Sequence, residues 1–173
     1  MVLTPRAVMV LALALATACL GTSPPPRLAT PTPVVLLVHL EGADGAPAAV
    51  PESVWQALLG ELRARNLEPE RVAEEVLGEA RTTEARLAAL ARAGAWVVLV
   101  EARARFFSQL SGRYRWEVEV RSSVVAPTGD SRSDLSVAAF LPFEREREPE
   151  ALDFVRRQVA EELGAVIDRV VAR

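Results

Sequence analysis

One histidine, one cysteine and no lysine limit the chemistry open to this 173-residue chain. His39 ends an apolar run at residues 34–40, and Glu41 and Asp44 follow it. An imidazole at a strand end with a carboxylate nearby is the material of a general base. What such a base would activate is missing. The sequence holds no serine-elbow motif, no glycine-rich phosphate loop and no zinc-ligand spacing. A Cys/His metal site takes about three or four such ligands in all, and the chain has one of each. Ser108, Ser111, Ser122, Ser123 and Ser131 fall where turns and strands ordinarily place serine. His39 is therefore read as a structural strand residue, neutral and hydrogen-bonded, with no substrate cleft around it. Glu41 and Asp44 are read as solvated loop carboxylates. The expectation is no catalytic residue, no cofactor and no metal.

Cys19 has a different setting. Residues 8–18 are apolar after Arg6, a run too short to cross a bilayer, which takes about 20 apolar residues. A short apolar run with small residues at its end has the form of a secretory signal, here residues 1–18, cleaved after Ala18. Leu15-Ala16-Thr17-Ala18-Cys19 resembles the lipobox of bacterial lipoproteins, with Ala16 where leucine is usual. The resemblance implies a Cys19 that carries diacylglycerol by a thioether and is N-acylated, which anchors the chain in a membrane. More than one acyl chain is what makes such an anchor stable. By resemblance to Gram-negative lipoproteins, Leu20 rather than Asp after the cysteine implies the outer membrane, with the domain facing the periplasm. Residues 19–33 hold five prolines and read as a tether, which at about 3.1 Å per residue could reach roughly 40 Å.

Residues 34–173 are expected to form one domain. The run 34–40 predicts a buried strand. Pro51-Glu52 opens a helix whose inner face is Val54, Trp55, Leu58, Leu59 and Leu62, with Asn66 as its stop. Residues 67–80 allow either a short strand or an acidic helix with Val72, Val76 and Leu77 inward. Thr82 or Thr83 caps a helix that Gly94 ends. Residues 96–107 and 113–125 alternate apolar and charged residues with period two, joined by a loop at 108–112. A turn at Pro127-Thr128-Gly129-Asp130 leads into a third strand, 132–141. Residues 148–173 form an amphipathic helix on Leu152, Val155, Val159, Leu163, Val166 and Val170. The fold class expected is α/β (α+β), a mixed sheet with a three-strand antiparallel meander and packed helices, in the order β-α-(β)-α-β-β-β-α.

Ala93-Gly94-Ala95 before a hydrophobic strand at 96–100, an alternating strand at 114–120, and Thr128-Gly129 before the next strand follow the pattern of a known group. On these residues the chain resembles the TolB N-terminal domain-like group, with its penicillin-binding-protein activator lipoproteins and curli-channel lipoprotein subunits. Trp96 stands where that pattern has Asp, and Glu101 where it has Gly. The resemblance implies protein partners: a peptidoglycan synthase, a secretion or transport complex, or other lipoproteins.

Charge excludes one class of partner. The formal net charge is −3, so nothing marks the chain for nucleic acid. The Arg/Glu face of the alternating strands, with Arg103, Arg105, Arg115, Glu117 and Glu119, is the candidate partner surface. Cross-strand Arg–Glu pairing would equally account for it. Glu144 to Glu148 reads as a solvated, charge-alternating hinge. The function expected is a non-catalytic interaction module of the cell envelope. The alternatives are an oligomeric structural subunit joined through a sheet edge, and a hydrolase using His39 with a loop carboxylate.

Overall fold

The structure, a computed structural model, describes residues 25–42, 44–142 and 147–173. Cys19 and Ala18 lie outside these residues, as do the first part of the tether, 19–24, and most of the charged run at 144–148. The elements are β1 (Thr32–Glu41), β2 (Pro47–Ala48), α1 (Glu52–Ala64), β3 (Leu67–Arg71), a single 3₁₀ turn (Glu74–Leu77), α2 (Thr83–Leu90), β4 (Trp96–Leu110), β5 (Arg113–Ala126), β6 (Gly129–Pro142) and α3 (Glu148–Val171). They form one mixed six-stranded sheet, the α/β arrangement expected, with β1 at its heart. β1 runs parallel to β4 on one side; on the other it pairs with β3 in parallel and with β2 antiparallel. β4, β5 and β6 are the antiparallel meander.

Sequence pattern explains the layers. β1 is buried on both faces, which is why it reads as an unbroken apolar run rather than an alternation. Val34, Leu36, Val38 and Leu40 face α1 and α3, with Val98, Val100, Val118 and Val120 from the neighbouring strands. Val35 and Leu37 face the opposite way, against Val97, Leu99, Leu77, Leu87 and Leu90 of a smaller core under the 3₁₀ turn and α2. β4 changes character along its length. Residues 97–100 are apolar on both faces; from Glu101 onward the two faces differ, with Ala102 and Ala104 buried and Arg103 and Arg105 pointing out. That change marks where the smaller helical layer stops.

Local signals account for the joints. Thr82 caps α2 by accepting a hydrogen bond from the Ala85 amide at 3.2 Å. Ser111 and Gly112, both at positive φ (48° and 75°), make the two-residue turn between β4 and β5. Such mirror-image turns match the twist of paired strands.

The structure corrects several expectations. Residues 28–33, assigned to the tether, are held on the domain: the Leu28 amide donates to the Arg65 carbonyl, and β1 begins at Thr32. Residues 67–80 are a short parallel strand followed by the 3₁₀ turn. Val72 and Leu77 are inward there, but Val76 is exposed. α2 ends at Leu90, before Gly94, which instead serves the turn into β4 at φ 77°. The loop expected at 108–112 is mostly strand, because a bulge at Phe107 shifts the register and lets pairing continue to Leu110–Arg113.

Candidate functional site

Parallel pairing of β1 with β4 sets His39 beside Glu101, and the antiparallel ladders extend that row to Arg121 and Asp134. The next row, along the same sheet face, is Glu41, Arg103, Glu119 and Ser136. These rows lie just past the smaller core, where α2 and the 3₁₀ turn give out. A cleft of about 530 Å³ opens over them, walled by Arg81, Thr83 and Arg86. A second, of about 590 Å³, lies toward the 3₁₀ turn between His39, Glu41, Glu74, Glu75 and Arg81. His39 borders both. The expectation that no cleft surrounds it is wrong, because the helical layer stops at its row instead of running on over it.

His39 is itself only 6% exposed. Its Nδ1–H donates to Glu74 Oε1, which ties the strand to the 3₁₀ turn. Glu101, on the same row, accepts from Thr83 Oγ1 at 2.6 Å and from Arg86 Nη1 at 2.5 Å, tying the strand to α2. Several of the remaining charges also meet opposites. Arg103 pairs with Glu41 at 3.1 Å, Arg105 with Glu119 at 4.0 Å, and Arg132 with Glu84 at 2.9 Å. Arg121 pairs with Asp134 at 2.7 Å, and that hydrogen bond raises the Arg121 pKa. The two hydroxyls that line the cleft are spent on carboxylates: Thr83 on Glu101, and Ser136 on Glu117 at 3.1 Å. Of the two carboxylates expected in a solvated loop, Glu41 is instead the last residue of β1 and lines both clefts, whereas Asp44 accepts from the Ala46 amide and shapes the β1–β2 turn. Among the described residues no three His, Cys, Asp or Glu side chains converge as metal ligands. No described helix is long and apolar enough to cross a membrane.

No family model and no curated protein matches this chain. Solved structures that share features of the fold include a minor lipoprotein from Acinetobacter baumannii, at 11% identity and a TM-score of 0.43, covering 80% of this chain and 94% of that one. A hypothetical protein, CT253, from Chlamydia trachomatis gives 13%, 0.44, 83% and 98% for the same measures. A putative neuraminyllactose-binding hemagglutinin homolog from Helicobacter pylori gives 11%, 0.36, 84% and 87%. Likeness this slight does not carry a function from one chain to another.

The five residues marked out as a partner surface stand on this same sheet face, Arg103 and Arg105 on β4 and Arg115, Glu117 and Glu119 on β5. Arg115 lies over the Phe107 ring at 4.4 Å, a cation–π contact. Phe107 and the neighbouring Phe140 are 57% and 38% exposed. Sequence reasoning missed Glu74, Thr83, Arg86, Arg121 and Asp134 as members of the site. Alternation places Glu101 on the charged face of its strand with Arg103 and Arg105, and it departs from the family pattern, but neither signal shows that it meets His39, Thr83 and Arg86.

Proposed function

We propose that the chain is an envelope lipoprotein acting as a non-catalytic protein-binding module. The observation behind this is the uncovered half of the sheet. Among the described residues no helix beyond Glu101 covers the face that carries Arg103, Arg105, Arg115, Glu117 and Glu119, and Phe107 and Phe140 are exposed beside them. Arginine and aromatic side chains are what interface centres favour. A mosaic of opposite charges selects a partner by pattern more than by strength.

Orientation fits an anchored adaptor. Val34 pairs with Trp96, so β4 begins beside the point where the tether enters and ends at the far tip. At about 3.3 Å per residue its 15 residues carry the tip some 45 Å from that point. A lipid on Cys19 would thus hold one end and present the other. The resemblance to the TolB N-terminal domain-like group suggests a secretion or cell-wall synthesis complex as partner, and Leu20 suggests the outer membrane.

A photo-crosslinker at Arg105 in the full chain, in membranes, is expected to give one discrete adduct. That adduct should be lost when Phe107→Ala and Arg115→Ala are combined. A pattern the same as that from a crosslinker at Arg157, on the outer side of α3, would overturn the reading. Cys19→Ser should release the chain from membranes; an unchanged mass and membrane fraction would refute the anchor.

One observation favours a second reading. His39 and Glu41 line one cleft, and Glu74 holds the imidazole as an orienting carboxylate would. A hydrolase would need His39 for turnover of ester or amide substrates. On the binding reading, His39→Gln leaves the Arg105 adduct intact and lowers stability modestly. Loss of a hydrolytic activity at unchanged stability would favour the enzyme instead.

A further inference from the structure

The sheet has two edges, and the chain treats them differently. On the β1 side, β3 takes up the edge over Thr32–Leu36 and β2 takes it up at Leu40 and Glu41. Prolines 33, 47 and 69 stand in these strands. The part of β4 that outruns β1 carries Arg105 and the bulge at Phe107. Proline, charge and bulges are the means by which edge strands avoid joining other chains. The second half of β6 has none of them before Pro142. β6 pairs with β5 in unbroken register from Gly129 to Pro142 and, among the described residues, has no strand on its other side. Residues 135–141, Leu-Ser-Val-Ala-Ala-Phe-Leu, hold no charge.

We infer that this edge of β6 is a self-association surface, and that its occupant is β6 of a second copy of the chain, antiparallel about a two-fold axis at Ala138. Ala138 then faces Ala138 of the partner subunit. Leu135 meets Leu141 and Val137 meets Ala139 on the helix-covered face, while Ser136 meets Phe140 on the open face. The nearest charge, Asp134, faces proline, so no like charges meet.

The layer above the sheet selects a folded copy over a loose peptide. α3 crosses β6 on the helix-covered face: Arg169 reaches Ser131 and Glu162 reaches Ser133. Leu135 and Val137 on that face are still only half-buried. A lone strand added at the edge would leave its own side chains on that face beyond the reach of α3. A second copy related by a two-fold axis normal to the sheet brings its own α3 to the same face and covers them. Neither the anchor nor a foreign partner is needed, so this pairing stands or falls apart from the proposed function.

Opposed residues in an antiparallel pair have Cα atoms about 4.5–5.5 Å apart, within disulfide reach. Ala138→Cys in the full chain, oxidised in membranes, is expected to give a species of twice the chain mass. Arg157→Cys, exposed on α3, should give none. In detergent the unmodified chain should run as a dimer. Ala138→Lys, which sets two cations face to face, should run as a monomer that still unfolds cooperatively, with a Tm lower only by the lost association. The inference is overturned if Ala138→Cys crosslinks no more than Arg157→Cys, or if its adduct has any mass other than double. A chain still dimeric with Ala138→Lys would overturn it too. Should Ala138→Lys fail to fold, the crosslink alone decides.

Discussion

Gly164 in α3 is small because Arg65 needs the room. Arg65, at the end of α1, is 5% exposed and clamps the two helices together. Its Nε and Nη2 donate to the two Asp168 oxygens at 2.6 and 2.9 Å, and its Nη1 donates to Glu61 Oε2 at 2.6 Å and to the Glu61 carbonyl at 3.0 Å. The Asp168 bonds raise the Arg65 pKa, so the guanidinium stays charged. A Cβ at position 164 would lie 2.6 Å from Nη2 and 2.8 Å from Glu61 Oε2. The tip of an arginine is ordinarily free to move aside, but this one is fixed by four hydrogen bonds.

Gly164→Ala should therefore show opposite signs in two backgrounds. In a helix interior the exchange is worth about 1 kcal/mol in favour of alanine. Displacing the guanidinium forfeits much of the Asp168 pairing, and hydrogen bonds to charged groups are worth about 1.5–3 kcal/mol. The net expectation is a loss of about 1–2 kcal/mol, or some 3–8 °C in Tm for a domain of this size. With Arg65→Ala already in place the obstruction is gone, and Gly164→Ala should be neutral or stabilising by up to about 1 kcal/mol. Urea unfolding of the four proteins closes the cycle, with a coupling of about 1–3 kcal/mol. If Gly164→Ala stabilises the unmodified chain, the clamp is not rigid and the reasoning fails.

Val159, fully buried between α3 and the sheet, should not tolerate Asp: lost apolar burial plus a buried carboxylate amounts to about 5 kcal/mol or more, and circular dichroism should show an unfolded domain. A melting curve like that of the unmodified chain would mean that α3 does not pack as described. The hydrogen bond from Arg132 holds Glu84 below its ordinary pKa. Its contribution to stability is then present above the ordinary carboxylate value and is lost as pH falls through the depressed one. Carbon-detected NMR titration should find Glu84 low and Arg132→Ala should move it up; an unmoved midpoint would remove Arg132 as the cause.

The parts of the fold that were legible are those whose partners are near in sequence or whose pattern is long. The meander could be read because its alternation spans whole strands and two turn signals separate them. α3 could be read because its apolar stripe runs for six turns. The bulge at Phe107 was hidden because an inserted residue breaks the alternation just where the strand seems to end. The site was less legible still. That His39 meets Glu101 depends on a parallel register between strands some 60 residues apart, and no local pattern encodes it. Glu74 was lost among acidic neighbours in a segment too short and mixed to declare a period.

The position of these polar residues carries its own explanation. The core under the 3₁₀ turn and α2 is small, and along β1 and β4 its last apolar row is Leu37 and Leu99. Beyond it a layer must end, and an exposed rim of a small core would admit water beneath the two thin helical pieces. His39 with Glu74, and Glu101 with Thr83 and Arg86, stand on that rim, each joining the sheet to one piece of the cover. Buried polar groups that meet their partners close such a seam at little cost, whereas one left unpaired would cost about 1–3 kcal/mol. The histidine then needs no substrate to account for its burial or its carboxylate. The cleft is the step between a covered and an uncovered half of one sheet face, and it is the charged, aromatic-bearing half beyond the step that the proposed function assigns to a partner.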